Sequence, residues 1–326
     1  MGALMILLIL AALWAGDAWE FRPTQGFVNL STGEAKSPEA FLALGETLHA
    51  DKKLQEAVET LAVLVAAPID PSLRERGLFL RARALYENGE PIEAYADFDR
   101  FTREFPESRR TSSAREGMMA SALARARQGE WETLLGIPIY RSGKGGILKL
   151  RETLIRFPRE EFTDDYYLKL ALFLQEEGDP IAAESELTII LENHPLSDSA
   201  PPAVLLRGRI RLDRYDGVDY DVKTLADAKR DYEKFVGDYL RYAGDPVRLR
   251  ELGLDKERLG KMETEARAGI RYIVGQLAEK ELALARFYLH RNKPRSAKVY
   301  LQSILRSYPD SAAVPEARRL LESLEK

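Results

Sequence analysis

The chain has 326 residues, a net charge of −4, 45% hydrophobic and 31% charged residues. A hydrophobic share of this size excludes a largely disordered chain, and the charge balance provides no concentrated basic face for nucleic acid. The chain contains no cysteine, which excludes disulfides, thiolate chemistry and zinc sites with cysteine ligands.

An uncharged apolar run, residues 3–15, stands near the start of the sequence. It is shorter than the roughly 20 residues that a bilayer span needs and has the length of the hydrophobic part of a signal peptide. We predict that residues 1–18 are a signal peptide cut after Ala18, which would leave residues 19–21 as a free aromatic arm. A retained N-terminal apolar anchor and a short buried helix are the alternatives, since no Lys or Arg precedes the run.

The next segment, residues 19–36, is polar and contains glycine and proline, and we predict an extended linker. From Ser37 onward, apolar residues recur with the helical period, and no alternating run of strand length stands out. Residues 245–263 form an irregular, charged interruption.

Three stretches of the helical region share one spacing of small residues, turn residues and prolines. The alanine pairs are Ala82 with Ala94, Ala171 with Ala183, and Ala285 with Ala297; the turn residues are Gly89, Gly178 and Asn292; the prolines are Pro106, Pro195 and Pro309. Two antiparallel helices pack closely where side chains are small, a glycine supplies the positive φ of the turn, and proline ends the second helix. Ser108, Ser197 and Ser311 follow these prolines and are predicted to cap the next helix.

This spacing resembles the tetratricopeptide repeat, with about 34 residues per unit. Weaker copies fill the gaps, and the third and fifth units carry insertions between their helices. The resemblance predicts an all-α fold, a tetratricopeptide-like superhelical stack of about five to six helical hairpins, with N-terminal repeats in residues 37–200 and C-terminal repeats in residues 201–326. Helical hairpins without such a stack are the alternative.

A glycine-rich segment, Gly143-Lys144-Gly145-Gly146, precedes an apolar helix and invites comparison with a phosphate-binding loop. The Walker pattern needs an earlier glycine where Pro138 stands, and a Ser or Thr directly after the lysine. No strand is predicted before the segment. We therefore predict a flexible loop inside the third unit and no nucleotide site.

Residues that could support catalysis or metal binding are scattered. The three histidines, His49, His194 and His290, lie in different units, and none has a second histidine at zinc-ligand spacing. Asp164 and Asp165 are interpreted as charges at a helix N-terminus, and the aspartates of residues 213–221 do not match a calcium-loop spacing. We predict no catalytic residue, no metal site and no cofactor.

The first helices of such repeats line a curved surface that binds peptides or proteins. The candidate partner-binding positions are Arg76, Phe79, Arg83 and Tyr86 in the second unit, and Leu282, Arg286, Leu289 and His290 in the last unit. Aromatic and guanidinium side chains are enriched at binding hot spots.

The clearest units end in "EFPES", "NHPLS" and "SYPDS", and the last unit resembles the C-terminal repeats of the BamD family of outer-membrane assembly lipoproteins. That resemblance implies a non-enzymatic scaffold at the periplasmic, inner face of the outer membrane. Its partners would be β-barrel assembly components and unfolded outer-membrane protein segments, with no nucleic acid among them. The chain departs from the family because it has no cysteine for lipidation. The alternatives are another exported repeat adaptor that organises cell-envelope or division complexes, and an enzyme with an unrecognised site.

Overall fold

The computed structural model describes residues 18–134, 137–215 and 222–324. The predicted signal peptide therefore lies outside the described residues except for Ala18, as does most of the aspartate-rich segment. Within the described ranges, every helix is too short or too polar to cross a membrane.

The described chain is mainly helical and forms two compact units, Met1–Thr163 and Asp164–Lys326. Each unit contains successive helical hairpins, so the predicted all-α, tetratricopeptide-like class is confirmed. The division between the units comes earlier than the predicted one after residue 200. A functional grouping of the repeats into residues 37–200 and 201–326 stays a prediction.

The first unit opens with a small antiparallel sheet and continues with three hairpins, the third of which carries a two-stranded insertion. Its elements are β1 (Trp19–Arg22), β2 (Gly26–Asn29), β3 (Ala35–Lys36), α1 (Pro38–Ala50), α2 (Leu54–Ala66), α3 (Pro71–Glu87), α4 (Pro91–Glu104), α5 (Thr111–Gln128), β4 (Glu130–Leu134), β5 (Ile137–Ser142) and α6 (Lys144–Arg156).

The N-terminal sheet, in the order β1-β2-β3, corrects the prediction of a linker. Its backbone is extended, but Phe27 is fully buried and stacks on Phe41 of α1 with ring centroids 4.1 Å apart. The ring of Trp19 lies 5.1 Å from that of Phe41. Residues 19–36 are therefore packed onto the first hairpin, and the predicted free aromatic arm is wrong because its apolar rings complete a core.

The insertion of the third hairpin is also ordered as strands. β4 and β5 pair antiparallel between α5 and α6, with Trp131 opposite Arg141. The prediction of a flexible loop is wrong at this point, and so is the prediction that no strand precedes the glycine-rich segment. The sequence of β4 and β5 lacks the long alternating apolar pattern that marks a half-buried strand, so the sequence did not predict these strands.

The second unit contains three further hairpins and a final helix within the described residues. Its elements are α7 (Thr163–Glu176), α8 (Pro180–Asn193), α9 (Ala200–Asp213), α10 (Val222–Tyr239), a short 3₁₀ turn (Leu240–Tyr242), α11 (Pro246–Glu251), α12 (Lys256–His290), α13 (Pro294–Ser307) and α14 (Val314–Ser323). Helix α12 has 35 residues and includes the end of the stretch predicted to be irregular, because the Asp255 side chain accepts a hydrogen bond from the Arg258 amide and starts the helix there.

The repeated positions have a consistent structural role. Every alanine of the three pairs is fully buried: Ala82, Ala94, Ala171, Ala183, Ala285 and Ala297. The turn residues Gly89, Gly178 and Asn292 have φ of 82°, 80° and 54°. The hairpins are thus closed by left-handed turns and packed through small side chains.

The predicted capping serines do something different. The helices that follow begin after Arg110, Ser199 and Ala313 rather than after Ser108, Ser197 and Ser311. The carbonyl oxygens of the predicted serines accept backbone hydrogen bonds from Thr111, Ala200 and Val314. The Ser108 side chain also accepts a hydrogen bond from the Arg110 amide at 3.0 Å. The three turns are therefore closed by backbone hydrogen bonds, with a side-chain contribution at Ser108.

Candidate partner-binding surface

One face of α3 carries the four candidate residues of the second unit, Arg76, Phe79, Arg83 and Tyr86. Their spacing places them on one side of a helix. Arg76, Arg83 and Tyr86 are exposed, and Tyr86 has 41% of its surface in solvent. We call these three the α3 face; it offers two guanidinium groups followed along the helix by one aromatic ring.

The arginines of the α3 face are held by carboxylates. Arg76 Nη2 lies 2.7 Å from Glu46 Oε1 on α1, and Arg83 Nη2 lies 3.4 Å from Glu87 Oε1. A hydrogen bond from Lys52, at 2.8 Å, holds the pKa of the Glu87 carboxyl below its usual value although burial opposes it. The guanidinium groups are therefore oriented before any partner arrives, which lowers the entropic cost of binding.

Phe79 occupies a different environment from its neighbours. Its ring is half-buried, with centroids 5.4 Å from Phe101 and 6.0 Å from Phe98. The guanidinium carbon of Arg110 lies 5.9 Å from the ring centroid. Phe79 thus belongs largely to the core of the second hairpin and is not counted in the α3 face.

In the last repeat the candidate residues do not form one surface. Leu282 has 1% of its surface exposed and lies in the core with Leu301 and Ile304. Its predicted role in partner binding is wrong, because this side of α12 packs against α13. Leu289 is half-buried and His290 is exposed.

Arg286 of α12 is the best-placed candidate of this repeat. Its Nε and Nη2 donate to the two carboxylate oxygens of Glu316 on α14, at 3.0 and 2.6 Å. This hydrogen bonding lowers the pKa of the Glu316 carboxyl. The neighbouring Phe287 is half exposed and was missed by the sequence analysis; its position off the apolar stripe of α12 was the available signal.

Two exposed aromatic residues of the β4–β5 hairpin were also not predicted from the sequence. Trp131 and Tyr140 of the β4–β5 hairpin have 58% and 51% of their surfaces in solvent. The guanidinium carbon of Arg141 lies 5.3 Å from the Trp131 ring centroid. These two exposed rings are a further place where a protein partner could bind.

The glycine-rich segment serves packing. A Cβ at Gly146 would lie 2.1 Å from the backbone nitrogen of Ala126, so only glycine allows α6 to approach α5 this closely. Gly143 is the residue before α6, and its neighbour Lys144 is exposed. The segment therefore has a structural explanation that needs no phosphate.

The histidines are likewise spread over separate elements. His49 Nε2 lies 3.1 Å from Glu87 Oε1. His194 directly follows α8, and His290 is the last residue of α12. Among the residues with described coordinates, the group suited to holding a metal ion consists of aspartates and includes no histidine.

Residues 281–311 match the sequence model of the family described as Tetratricopeptide repeat. No curated protein sequence matches the chain. The match and the helical hairpins support a protein of tetratricopeptide type, a class of generally non-enzymatic scaffolds whose surfaces bind other proteins.

Several solved structures of repeat proteins are similar to the chain. One is a tetratricopeptide repeat protein from Parabacteroides merdae, 14% identical with a TM-score of 0.37, over 89% of this chain and 99% of that one. A second, from Thermus thermophilus, is 18% identical with a TM-score of 0.29, over 64% of this chain and 98% of that one. A third, the C-terminal part of a repeat protein from Cytophaga hutchinsonii, is 14% identical with a TM-score of 0.24, over 85% and 98%. Similarities at these values say nothing of what the chain binds.

Proposed function

We propose that the protein is a non-enzymatic, protein-binding scaffold of the BamD type. It takes part in the assembly and insertion of β-barrel proteins into the outer membrane, and it works in the periplasm at the inner face of that membrane. The observation that carries the proposal is the α3 face, where exposed Tyr86 stands with two arginines that carboxylates hold in place.

The α3 face suits an extended peptide. Outer-membrane strands alternate apolar and polar residues and carry aromatic girdles. An aromatic side chain of such a strand can stack on Tyr86. Arg76 and Arg83 can donate hydrogen bonds to its carboxylates or backbone carbonyl oxygens. The unfolded precursor of a β-barrel protein presents these groups before it folds.

The C-terminal repeats dock on a barrel-forming partner in this proposal, as the resemblance to the BamD family implies. The exposed groups available for this contact are Phe287 and the Arg286–Glu316 pair. In this proposal a partner or the N-terminal apolar run holds the chain at the membrane.

A second candidate function is that of another exported repeat adaptor, one that organises cell-envelope or division complexes. The absence of cysteine from the sequence favours it, because a lipid attached through cysteine is part of the BamD pattern. The two functions differ in their partners, and capture experiments separate them.

The test is affinity capture of the tagged chain from detergent-solubilised membranes of the native cell. The wild type is compared with the double variant Arg83→Ala/Tyr86→Ala and with Arg103→Ala. Arg103 is a matched control because it is an exposed arginine of α4 that pairs with Asp99 four residues earlier, as Arg83 pairs with Glu87. The proposal expects the double variant alone to lose β-barrel precursors. Equal recovery of precursors by all three proteins would refute the assignment of the α3 face.

A further inference from the structure

Three aspartates of the second unit converge on one point. Asp164 and Asp165 lie in the first turn of α7, and Asp198 lies in the turn before α9. One carboxylate oxygen from each lies within 4.8 Å of the other two. Residues more than thirty positions apart in sequence therefore build one acidic cluster, which we call the aspartate cluster.

Asp164 is the unusual member. Only 4% of its surface is exposed, yet within the described ranges its carboxylate receives no hydrogen bond and forms no ion pair. Burying a carboxylate without a partner is costly. The N-terminus of α7 supplies a partial positive charge, which compensates a full negative charge only in part. A largely buried carboxylate whose oxygen lies within 4.8 Å of the oxygens of two further carboxylates is an arrangement that a cation would complete.

The other two aspartates are held in place around it. Asp165 Oδ1 accepts a hydrogen bond from Ser199 Oγ at 2.9 Å. A Cβ at Gly253 would lie 2.9 Å from the Asp198 Cβ, so the turn between α11 and α12 packs directly against this aspartate. Burial, followed by the charges of Asp165 and Asp164, raises the pKa of the Asp198 carboxyl. The cluster is thus positioned by its surroundings while its own charges repel.

We propose that Asp164, Asp165 and Asp198 bind one Ca²⁺ ion. The ligands are all carboxylate oxygens, which select hard cations such as Ca²⁺ and Mg²⁺ over Zn²⁺ or Cu²⁺. Ca²⁺ accepts irregular geometry and six to eight oxygens, whereas Mg²⁺ demands a near-ideal octahedron. Three carboxylates with water in the remaining positions correspond to a dissociation constant on the order of 10⁻⁴–10⁻³ M, the range of extracellular modules.

The bound ion would connect two successive first helices. It would bridge the start of α7 to the turn that precedes α9, and it would neutralise Asp164. The site is independent of the proposed function, because it belongs to the second compact unit, shares no residue with the α3 face and needs no partner protein. Calcium would therefore stiffen the junction between two repeats whatever the protein binds.

The test uses the purified full chain after treatment with EDTA. Calorimetric titration with CaCl₂ should show one saturable site, and titration with MgCl₂ should show binding at least tenfold weaker. The variant Asp198→Asn should weaken Ca²⁺ binding by tenfold or more. Asp310→Asn is the matched control, since Asp310 is an exposed aspartate in the corresponding turn after α13.

Thermal unfolding gives a second readout, in which the order of stability of the wild type and Asp198→Asn should differ between EDTA and excess Ca²⁺. In EDTA, Asp198→Asn should unfold at the same temperature as the wild type or higher, because it relieves repulsion in the cluster. In excess Ca²⁺, the wild type should gain stability with ion concentration and exceed the variant. Absence of saturable Ca²⁺ binding, equal binding of Mg²⁺, or unchanged binding by Asp198→Asn would each overturn the proposal.

Discussion

The guanidinium of Arg207 donates two hydrogen bonds to the carboxylate of Asp231, at 2.6 and 3.1 Å, inside the hairpin of α9 and α10. Asp231 has only 2% of its surface exposed. Arg211 joins the pair at 2.7 Å, and Arg207 also donates to Thr188 Oγ1 at 3.1 Å. A buried carboxylate therefore organises the contact between the two helices.

The same relationship recurs in the second hairpin, where Arg81 donates to the two oxygens of Asp97, each at 2.5 Å. In both hairpins the arginine precedes the small residue of the first helix, Ala82 or Gly208. The aspartate follows the small residue of the second helix by one turn. The pair is thus a repeated internal feature of these hairpins, and it accounts for two arginines that are unavailable to partners.

Removal of the Asp231 side chain should be strongly destabilising. The variant Asp231→Ala leaves Arg207 without its buried partner, and we expect the free energy of unfolding to fall by about 3–5 kcal/mol. Urea unfolding followed by circular dichroism measures the loss. The control is Asp238→Ala on the same helix, whose exposed pair with Lys234 should contribute about 0–1 kcal/mol. Equal losses in the two variants would contradict the role of the buried pair.

The Arg81–Asp97 pair allows a compensation experiment, because a single arginine is involved. Asp97→Leu alone should destabilise the chain by about 3–5 kcal/mol, since it leaves the guanidinium uncompensated. Adding Arg81→Met removes that charge and should recover most of the loss. Urea midpoints of the two single variants and the double variant give the coupling energy. Additive losses would show that the pair does not act as a unit.

The turn glycine Gly178 should resist substitution for a purely conformational reason. Its φ is 80°, and a Cβ there would meet no atom within 4 Å, so Gly178→Ala costs only the left-handed backbone, about 1–2 kcal/mol. Gly275, inside α12, has equally open space, and Gly275→Ala should instead stabilise by about 0.5–1 kcal/mol. Chemical unfolding of both variants tests the difference in sign.

Alkaline pH should weaken the second unit. Burial, with a smaller contribution from the Asp238 charge, raises the pKa of Tyr239 from 10.0 to about 12. Between these values the unfolded chain loses a proton that the folded chain keeps, so stability is full below pH 10 and falls as the pH rises toward 12. Tyr239→Phe should make this decline shallower in urea titrations. Tyr272→Phe, which removes an exposed hydroxyl, should leave the decline unchanged.

The sequence predicted those parts of the fold that depend on local chemistry. The left-handed turns at Gly89, Gly178 and Asn292 could be read from residue type and spacing, because few residues tolerate positive φ. The N-terminal sheet could not, since its stability comes from Phe27 stacking on Phe41 of a later element. Short strands stabilised by such tertiary contacts have no strong period of their own.

The candidate surface was predictable only in part, for a related reason. Helical spacing predicted that Arg76, Arg83 and Tyr86 share one side of α3, where all three are exposed, and their role in binding stays a prediction. It also assigned Leu282, whose burial depends on how α12 packs against α13. The aspartate cluster could not be predicted from the sequence, because Asp198 comes close to Asp164 only through the packing of successive hairpins. Local patterns specify helix faces, and tertiary packing decides which of them remain open.

Membrane capture of the wild-type chain tests the central claim most directly. The tagged protein is isolated from detergent-solubilised membranes of the native cell, and the co-purifying proteins are identified by mass spectrometry. A BamD-type scaffold predicts recovery of the barrel-forming assembly component together with unfolded outer-membrane proteins. Recovery of peptidoglycan-associated or division proteins, with no β-barrel assembly component, would contradict it.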